Sequence, residues 1–391
     1  MQRAVRQLAV LLLLLVLGAA GSCRVAAAGE QGDTAPDTQD ILQQQYDDTG
    51  VGELFDQLPD QTRDILDEQG LDDPADSGSF LDFLQPGKVL DTIYTQLKEA
   101  VTQPLALLAI VIITILVCAV AESMKTTLFS ANYSSVISAV AALCVATSAI
   151  APVFSLIKDL QQALSSCNQF IASFVPVYGT VIAASGQPIT GSAYSGLLML
   201  VVQGVSAICT NTIVPLLGLF LAFSVTGSLY DGLHIASLTR GIKNTIIFLL
   251  SALLTIFCGI LSMQTFVGGA SDSLALKTGK LLVGNLVPIV GSAVSDAMTS
   301  VYSCLHLLKN GVGVFGILAV LITFLPLLCR CLLYKLALWI GGFFCDTLGV
   351  NSMKESLQGI GNCLSVVTAL CVTYSLLIVI TTTIMMTAVS G

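Results

Sequence analysis

Charged residues and catalytic residue types are both scarce in this chain. Only 10% of its 391 residues are charged, whereas about a quarter is usual in a soluble domain, and 54% are hydrophobic. This composition excludes an ordinary water-soluble domain and predicts a membrane protein. The two histidines, His234 and His306, lie far apart, and no metalloprotease, P-loop or nucleophile-elbow motif occurs. We therefore expect no enzyme activity, no metal site and no cofactor.

Paired cysteines and basic aromatic stretches are also missing. Most of the 12 cysteines lie inside apolar runs and no CxxC pair occurs, so we expect small buried side chains rather than disulfides or zinc ligands. No stretch of the sequence is both basic and aromatic, and nucleic-acid binding is therefore not expected.

Negative charge is concentrated in one region near the N-terminus. Residues 30–100 hold 18 acidic and 3 basic residues, whereas residues 101–391 hold 7 acidic and 10 basic residues. The formal net charge of −9 therefore belongs to a single polar region that precedes a slightly basic membrane body.

Residues 1–28 have the pattern of a secretory signal peptide. Arg3 and Arg6 precede the apolar run Leu8–Leu17, which is too short to span a bilayer, and Ala26–Ala28 offers a cleavage site. A lipoprotein leader and an uncleaved anchor are the alternatives. In each case the following residues begin on the extracytoplasmic side.

Two segments separate this leader from the membrane body. Residues 29–86 form an acidic extracytoplasmic region, disordered at its start, in which Asp60–Gln69 is predicted to be a short helix ending before Gly70. Residues 87–103 are predicted to be an amphipathic helix at the membrane interface, in contact with lipid.

Apolar runs of near-bilayer length predict about seven or eight transmembrane helices. We place them at residues 104–121, 134–157, 194–210, 212–230, 245–267, 311–329, 331–348 and 364–388. The run 194–230 is too long for one span and is either two short helices or one broken helix. Arg330 and Lys335 interrupt the 311–348 region in a similar way.

The stretch 271–314 is apolar but carries polar groups and a Pro–Gly break that a simple spanning helix lacks. The unusual residues are Lys277, Lys280, Asn285, Pro288, Gly291, Asp296, Lys309 and Asn310. Polar groups and helix breaks persist at membrane depth only where protein or a water-filled cavity satisfies them. We expect Asp296 to cap a helix or to pair with a lysine. Lys277 and Lys280, with Lys309 beyond them, form either a cytoplasmic positive loop or a cationic rim that meets the acidic surface of a partner or an anionic solute.

A short sequence repeat suggests an internal duplication. Pro176 and Gly179 lie in a heptamer that matches the heptamer around Pro288 and Gly291 at an offset of 112 residues. We predict two re-entrant Pro/Gly hairpins inside two inverted membrane repeats, which is a transporter and channel pattern. The alternative is a chance match between Val-, Gly- and Pro-containing heptamers. The repeats would cover residues 104–215 and 216–328, followed by C-terminal membrane helices at 329–391.

These features together predict an all-α polytopic membrane protein with a small acidic helical extracytoplasmic segment.

The central stretch also resembles a known family. The resembling positions are Ser271-Asp272, Lys277-Thr278, Lys280, Asn285 to Gly291, Ser295 to Ala297 and Lys309 to Gly313. This pattern is similar to the stage III sporulation protein AE family of endospore-forming bacteria, and the likeness extends over roughly residues 85–375.

The resemblance implies a role in sporulation. It places the protein in the mother-cell membrane around the forespore, within a channel-like, secretion-like complex. Its partners would be other stage III sporulation membrane proteins and a forespore partner across the intermembrane space, and the complex would be required for late forespore development. The alternative hypothesis from the residues is a self-sufficient secondary transporter with a small-solute site between the two hairpins.

Overall fold

The structure is a computed structural model that describes residues 46, 49–71, 73–74, 77–83, 85–123, 131–229, 235–286 and 291–387. Regular secondary structure within these ranges is helical throughout, beginning with a 3₁₀ turn at Val51–Leu54. The helices are α1 Asp60–Glu68, α2 Ser77–Phe83, α3 Pro86–Ala100, α4 Thr102–Ser123, α5 Ala131–Ala184, α6 Pro188–Ile208, α7 Val214–Leu229, α8 Ile235–Leu286, α9 Gly291–Leu348 and α10 Asn351–Thr387.

Six helical stretches of the described residues are long and apolar enough to cross a membrane. They are Thr102–Val120, Leu143–Ala184, Pro188–Gly227, Ser237–Met263, Leu307–Leu348 and Met353–Met386. The predicted all-α polytopic class is therefore confirmed. The count is lower than predicted because neighbouring spans join into single stretches, as 311–329 and 331–348 do within α9.

The 194–230 run is one helical path with a local irregularity. A π-helical segment, Cys209–Ile213, joins α6 to α7 without a turn. Asn211 lies in this segment and is exposed. A π-segment inserts an extra residue into the helix and shifts the faces of the following turns. Of the two alternatives, the run is therefore a single locally distorted helix.

The longest helices, α5 and α9, form the centre of the bundle. They contain 54 and 58 residues, so each is about 80 to 90 Å long, against about 30 Å for the hydrocarbon core of a bilayer. Asp159 of α5 contacts Arg330 of α9. Further along α5, Tyr178 lies beside Gly313, so the two helices run antiparallel. Helix α10 packs along both of them.

The outer helices present large apolar side chains outward. On α4 these are Leu105, Ile110, Ile113, Leu116, Val117 and Val120, and on α8 they include Phe248, Ile256, Ile260 and Met263. Such surfaces are typical of contact with lipid or with another membrane segment. Helices α4 and α8 therefore form part of the periphery, whereas α5, α9 and α10 supply most of the core.

The predicted re-entrant hairpin at Pro176 is wrong, because α5 continues through this residue to Ala184. A proline removes one backbone hydrogen bond, but buried flanking residues such as Phe174 and Tyr178 keep the helix in place. The chain turns only at Gly186, whose φ of 91° is a left-handed conformation that glycine adopts without strain. Pro188 then begins α6.

The described residues leave the predicted internal repeat untested. Pro176 lies inside α5, whereas Pro288 lies outside the described residues. The equivalence of the two heptamers at an offset of 112 residues therefore stays a prediction.

The acidic N-terminal region packs against the bundle. Helix α1 ends at Glu68 and Gly70 has a φ of 67°, which confirms the predicted helix stop. The ring of Phe80 on α2 lies 5.9 Å from that of Phe315 on α9, measured between centroids. Helix α3 covers most of the predicted amphipathic segment at 87–103, and its interfacial position stays a prediction.

Candidate functional site

A polar cavity lies where α5, α9 and the N-terminal helices meet. Its volume is about 490 Å³. Polar side chains supply most of its wall, namely Gln57, Asp60, Gln61, Thr62, Asp159, Gln162, Ser166, Gln169, Thr323 and Arg330. A cavity with this lining inside a largely apolar bundle is suited to water or to polar groups of a partner.

Two interactions hold the walls of this cavity together. The Nη1 of Arg330 lies 3.2 Å from the Oδ2 of Asp159, which joins α9 to α5 in a half-exposed ion pair. The hydroxyls of Thr62 and Thr323 share a hydrogen bond of 2.9 Å, which joins α1 to α9. The N-terminal region therefore covers the cavity and contributes directly to its wall.

Helix α5 presents a continuous polar face on the side of this cavity. Gln162, Ser166, Gln169 and Ser173 follow one another at intervals of four, three and four residues, which places them on one helical face. Gln162 and Gln169 are exposed, and Ser173 Oγ donates to Gln57 Oε1 at 3.5 Å. Uncharged polar side chains along a candidate membrane span are typical of a water-facing helix surface.

An aromatic cluster lies beside the polar face and fills the core between α5, α6 and α9. Its rings are those of Phe170, Phe174, Tyr178, Tyr194 and Phe315. Phe174 and Tyr178 are stacked with centroids 5.2 Å apart, and Tyr178 meets Tyr194 edge to face at 5.6 Å. Such pairs stabilise a core beyond the area they bury, by about 0.5–1.5 kcal/mol each.

Three glycines allow the helices around this cluster to approach closely. A Cβ at Gly316 would overlap the ring of Phe174, and a Cβ at Gly313 would lie 2.8 Å from the hydroxyl of Tyr178. Gly179 faces α6, where a Cβ would overlap the Oγ of Ser195. The predicted site residue Gly179 therefore has a packing role between α5 and α6, in a continuous helix rather than a hairpin.

Lys309 and Asn310 lie at the end of the aromatic cluster. Lys309 is fully buried and Asn310 is 7% exposed, so Lys309 does not belong to an exposed cationic rim. Lys309 precedes Gly313 by one helical turn on the same face of α9. Within the described part of the chain, its Nζ has no hydrogen-bond or ion-pair partner. An amine buried in this way is a candidate functional group.

The other predicted site residues occupy the ends of α8 and α9. Lys277, Lys280 and Asn285 lie on α8, and Gly291 and Asp296 lie in the first turns of α9. Their side chains are outside the described residues, so their roles in subunit contacts remain predictions. Pro176 is exposed on α5.

Only part of the polar cavity could be predicted from the sequence. Arg330 was visible as a charge inside an apolar run, but its partner Asp159 lies 171 residues earlier in the chain. The glutamines and serines of α5 carry a helical spacing that could have been read directly from the sequence.

Comparisons with known proteins address the identity of the chain. Residues 81–389 match the family model described as stage III sporulation protein AE. The chain is 24% identical over 338 residues to the stage III sporulation protein AE of Bacillus subtilis (strain 168), covering 83% of this chain and 84% of that protein. No solved structure matches. Because the family model spans the whole bundle from α3 to α10, this chain belongs to the stage III sporulation protein AE family.

Proposed function

We propose that this protein is a membrane subunit of a sporulation-specific channel complex that links the mother cell and the forespore. In this proposal it lies in the mother-cell membrane around the forespore and is required for late forespore development. Its partners are other stage III sporulation membrane proteins and a forespore partner across the intermembrane space. Its role is structural, without catalysis.

The polar face of α5 is the observation that carries this proposal. A candidate span with a continuous row of Gln and Ser side chains would be costly if it faced lipid. A single copy leaves Gln162 and Gln169 exposed. In a ring of copies or of related subunits, the same face would line a water-filled conduit. The adjacent cavity of about 490 Å³ would then belong to the wall of that conduit.

The N-terminal region fits the same arrangement. We place it in the intermembrane space, where it contacts α9 through Thr62 and Phe80 and contacts Ser173, at the end of the polar face, through Gln57. A partner that carries basic groups would meet this acidic surface without crossing the membrane.

Thiol labelling tests whether the polar face is exposed to water. The Gln169→Cys variant is expressed in sporulating cells and treated with a charged, membrane-impermeant thiol reagent. The Leu200→Cys variant is the control, because Leu200 is an apolar side chain of α6 that is 75% exposed and is expected to face lipid. The parent chain gives the background from its own cysteines.

If the polar face of α5 lines a water-filled conduit, we expect strong labelling of the Gln169→Cys variant and only background labelling of the Leu200→Cys variant. Equal background labelling of both variants would contradict a water-filled conduit along α5. The tagged protein should also co-purify with other sporulation membrane proteins, and purification as an isolated monomer from sporulating cells would count against an assembly subunit.

A self-sufficient secondary transporter is the second candidate, and buried Lys309 favours it. Ionisable residues inside membrane spans often mark ion or solute pathways. Purified protein in liposomes separates the two candidates. Solute or ion flux without any partner protein, lost in the Lys309→Met variant, would support the transporter, whereas its absence supports the assembly subunit.

A further inference from the structure

A groove between α9 and α10 shares no lining residue with the polar cavity of α5 and has a different character. Its volume is about 600 Å³. A second cavity of about 370 Å³ adjoins it between α7, α8 and α10, and the two share Gln358 and Asn362. The groove is open at its side, and its lining includes the exposed apolar residues Leu336, Trp339 and Phe343.

Basic side chains are in excess in this groove. The two adjoining cavities are lined by four basic side chains, Arg240, Lys243, Lys335 and Lys354, and by two acidic ones, Asp346 and Glu355. Lys354 is already paired with Asp346, with 2.6 Å between Nζ and Oδ1. The described part of the groove therefore retains three basic groups against one carboxylate.

Two of these basic groups converge from different helices. Lys243 of α8 donates from Nζ to the Oδ1 of Asn362 at 3.5 Å, which holds the amine at the junction of the two cavities. Lys335 of α9 lines the groove together with the same Asn362. Two half-buried cations brought together in this way are stabilised when an anion lies between them.

The wall beside these cations is apolar and exposed. Leu336, Trp339 and Phe343 follow at intervals of three and four residues on one face of α9, and they are 45%, 48% and 60% exposed. An apolar strip that leads out of a basic pocket matches a molecule with an anionic head and a hydrocarbon tail. A free phosphate ion has no hydrocarbon portion that could contact the apolar strip.

We propose that this groove binds an anionic glycerophospholipid. The lipid phosphate lies between Lys335 and Lys243, the amides of Asn362 and Gln358 donate to headgroup oxygens, and an acyl chain lies along Trp339 and Phe343. Basic pockets between membrane helices bind anionic headgroups by this combination of charge and apolar contact. The site is independent of the conduit proposed along α5.

The chain provides its own probe for this test, because Trp339 is its single tryptophan. Purified full-length protein is reconstituted into phosphatidylcholine nanodiscs that contain a small fraction of phosphatidylglycerol brominated on its acyl chains. Brominated chains quench tryptophan fluorescence on close approach. Brominated phosphatidylcholine at the same fraction gives the reference.

We expect brominated phosphatidylglycerol to quench Trp339 at about 25-fold lower mole fraction than brominated phosphatidylcholine, since two lysines near a headgroup each contribute about a factor of five. The Lys243→Gln/Lys335→Gln variant should lose this preference. The Lys98→Gln variant, changed on α3 away from the groove, should keep it.

Other outcomes would overturn the proposal. Equal quenching by the two lipids in the unmodified protein would overturn it. This outcome needs no variant, so the test remains valid even if the double variant misfolds. Relief of the quenching by millimolar inorganic phosphate would show a site for a soluble anion rather than for lipid. An unchanged preference in the double variant would place the lipid elsewhere around Trp339.

Discussion

Arg330 of α9 and Asp159 of α5 form an ion pair across the centre of the bundle, with 3.2 Å between Nη1 and Oδ2. The side chains are 43% and 35% exposed, because both border the polar cavity. The pair thus serves two purposes. It aligns the two longest helices, and it places a neutralised charge pair at the cavity wall beside Gln162.

The first prediction concerns this ion pair. The Arg330→Gln and Asp159→Asn variants should each lower the free energy of unfolding by no more than about 1 kcal/mol, since half-exposed pairs are screened by water. Denaturant unfolding in mild detergent measures the loss. In a double-mutant cycle the two effects should be non-additive, and additive effects would show that the groups do not interact in solution.

The second prediction concerns helix approach at Gly316. The Gly316→Ala variant should lower the free energy of unfolding by about 1–3 kcal/mol, because the new methyl group overlaps the ring of Phe174. Gly342→Ala on the same helix is the matched control, since a Cβ there meets nothing within 4 Å. It should be neutral or slightly stabilising through better helix propensity. Equal thermal midpoints for the two variants would contradict the close packing of α5 and α9.

The all-α class and the ends of several helices could be predicted from the sequence, because they depend on residues that are close together in the chain. The end of α1 before Gly70 is one example, since glycine adopts the left-handed turn without cost. The break predicted at Pro176 is wrong because an interior proline removes one backbone hydrogen bond without necessarily ending the helix. The flanking Phe174 and Tyr178 are buried in the core, and their packing favours the helical path.

Long-range relationships were not accessible to the same reasoning. The burial of Lys309 depends on how α4, α5 and α10 pack around α9, and no local pattern carries that information. The pairing of Asp159 with Arg330 spans 171 residues. By contrast, the spacing of Gln162, Ser166 and Gln169 is local, and a search for a polar helical face in the sequence would have found it.

The third prediction concerns attachment of the N-terminal helices. The Phe80→Ala variant removes a fully buried ring that contacts Phe315, so α1 and α2 should separate more often from α9. Trypsin should then cleave at Arg63 several-fold faster in the detergent-solubilised protein. Tyr94→Ala is the control, because Tyr94 is 66% exposed on α3. Identical cleavage rates for the two variants would show that the aromatic contact does not hold the region in place.

The fourth prediction concerns Lys309. Its side chain is fully buried beside the aromatic cluster, and no ion-pair or hydrogen-bond partner for its Nζ lies among the residues with described side chains. A buried amine in such surroundings destabilises the fold because its charge is removed from water. The Lys309→Met variant, which preserves volume, should therefore raise the thermal midpoint in detergent by several degrees.

The same substitution separates stability from function. If Lys309 serves the assembled complex, sporulating cells that carry Lys309→Met should make normal amounts of a stabilised protein and yet form fewer heat-resistant spores. Lys158→Met is the matched control, since Lys158 is an exposed lysine on α5. A drop in midpoint for Lys309→Met, equivalent to about 3–5 kcal/mol, would instead mean that a buried structural ion pair had been broken. Its counter-charge would then have to come from outside the side chains described.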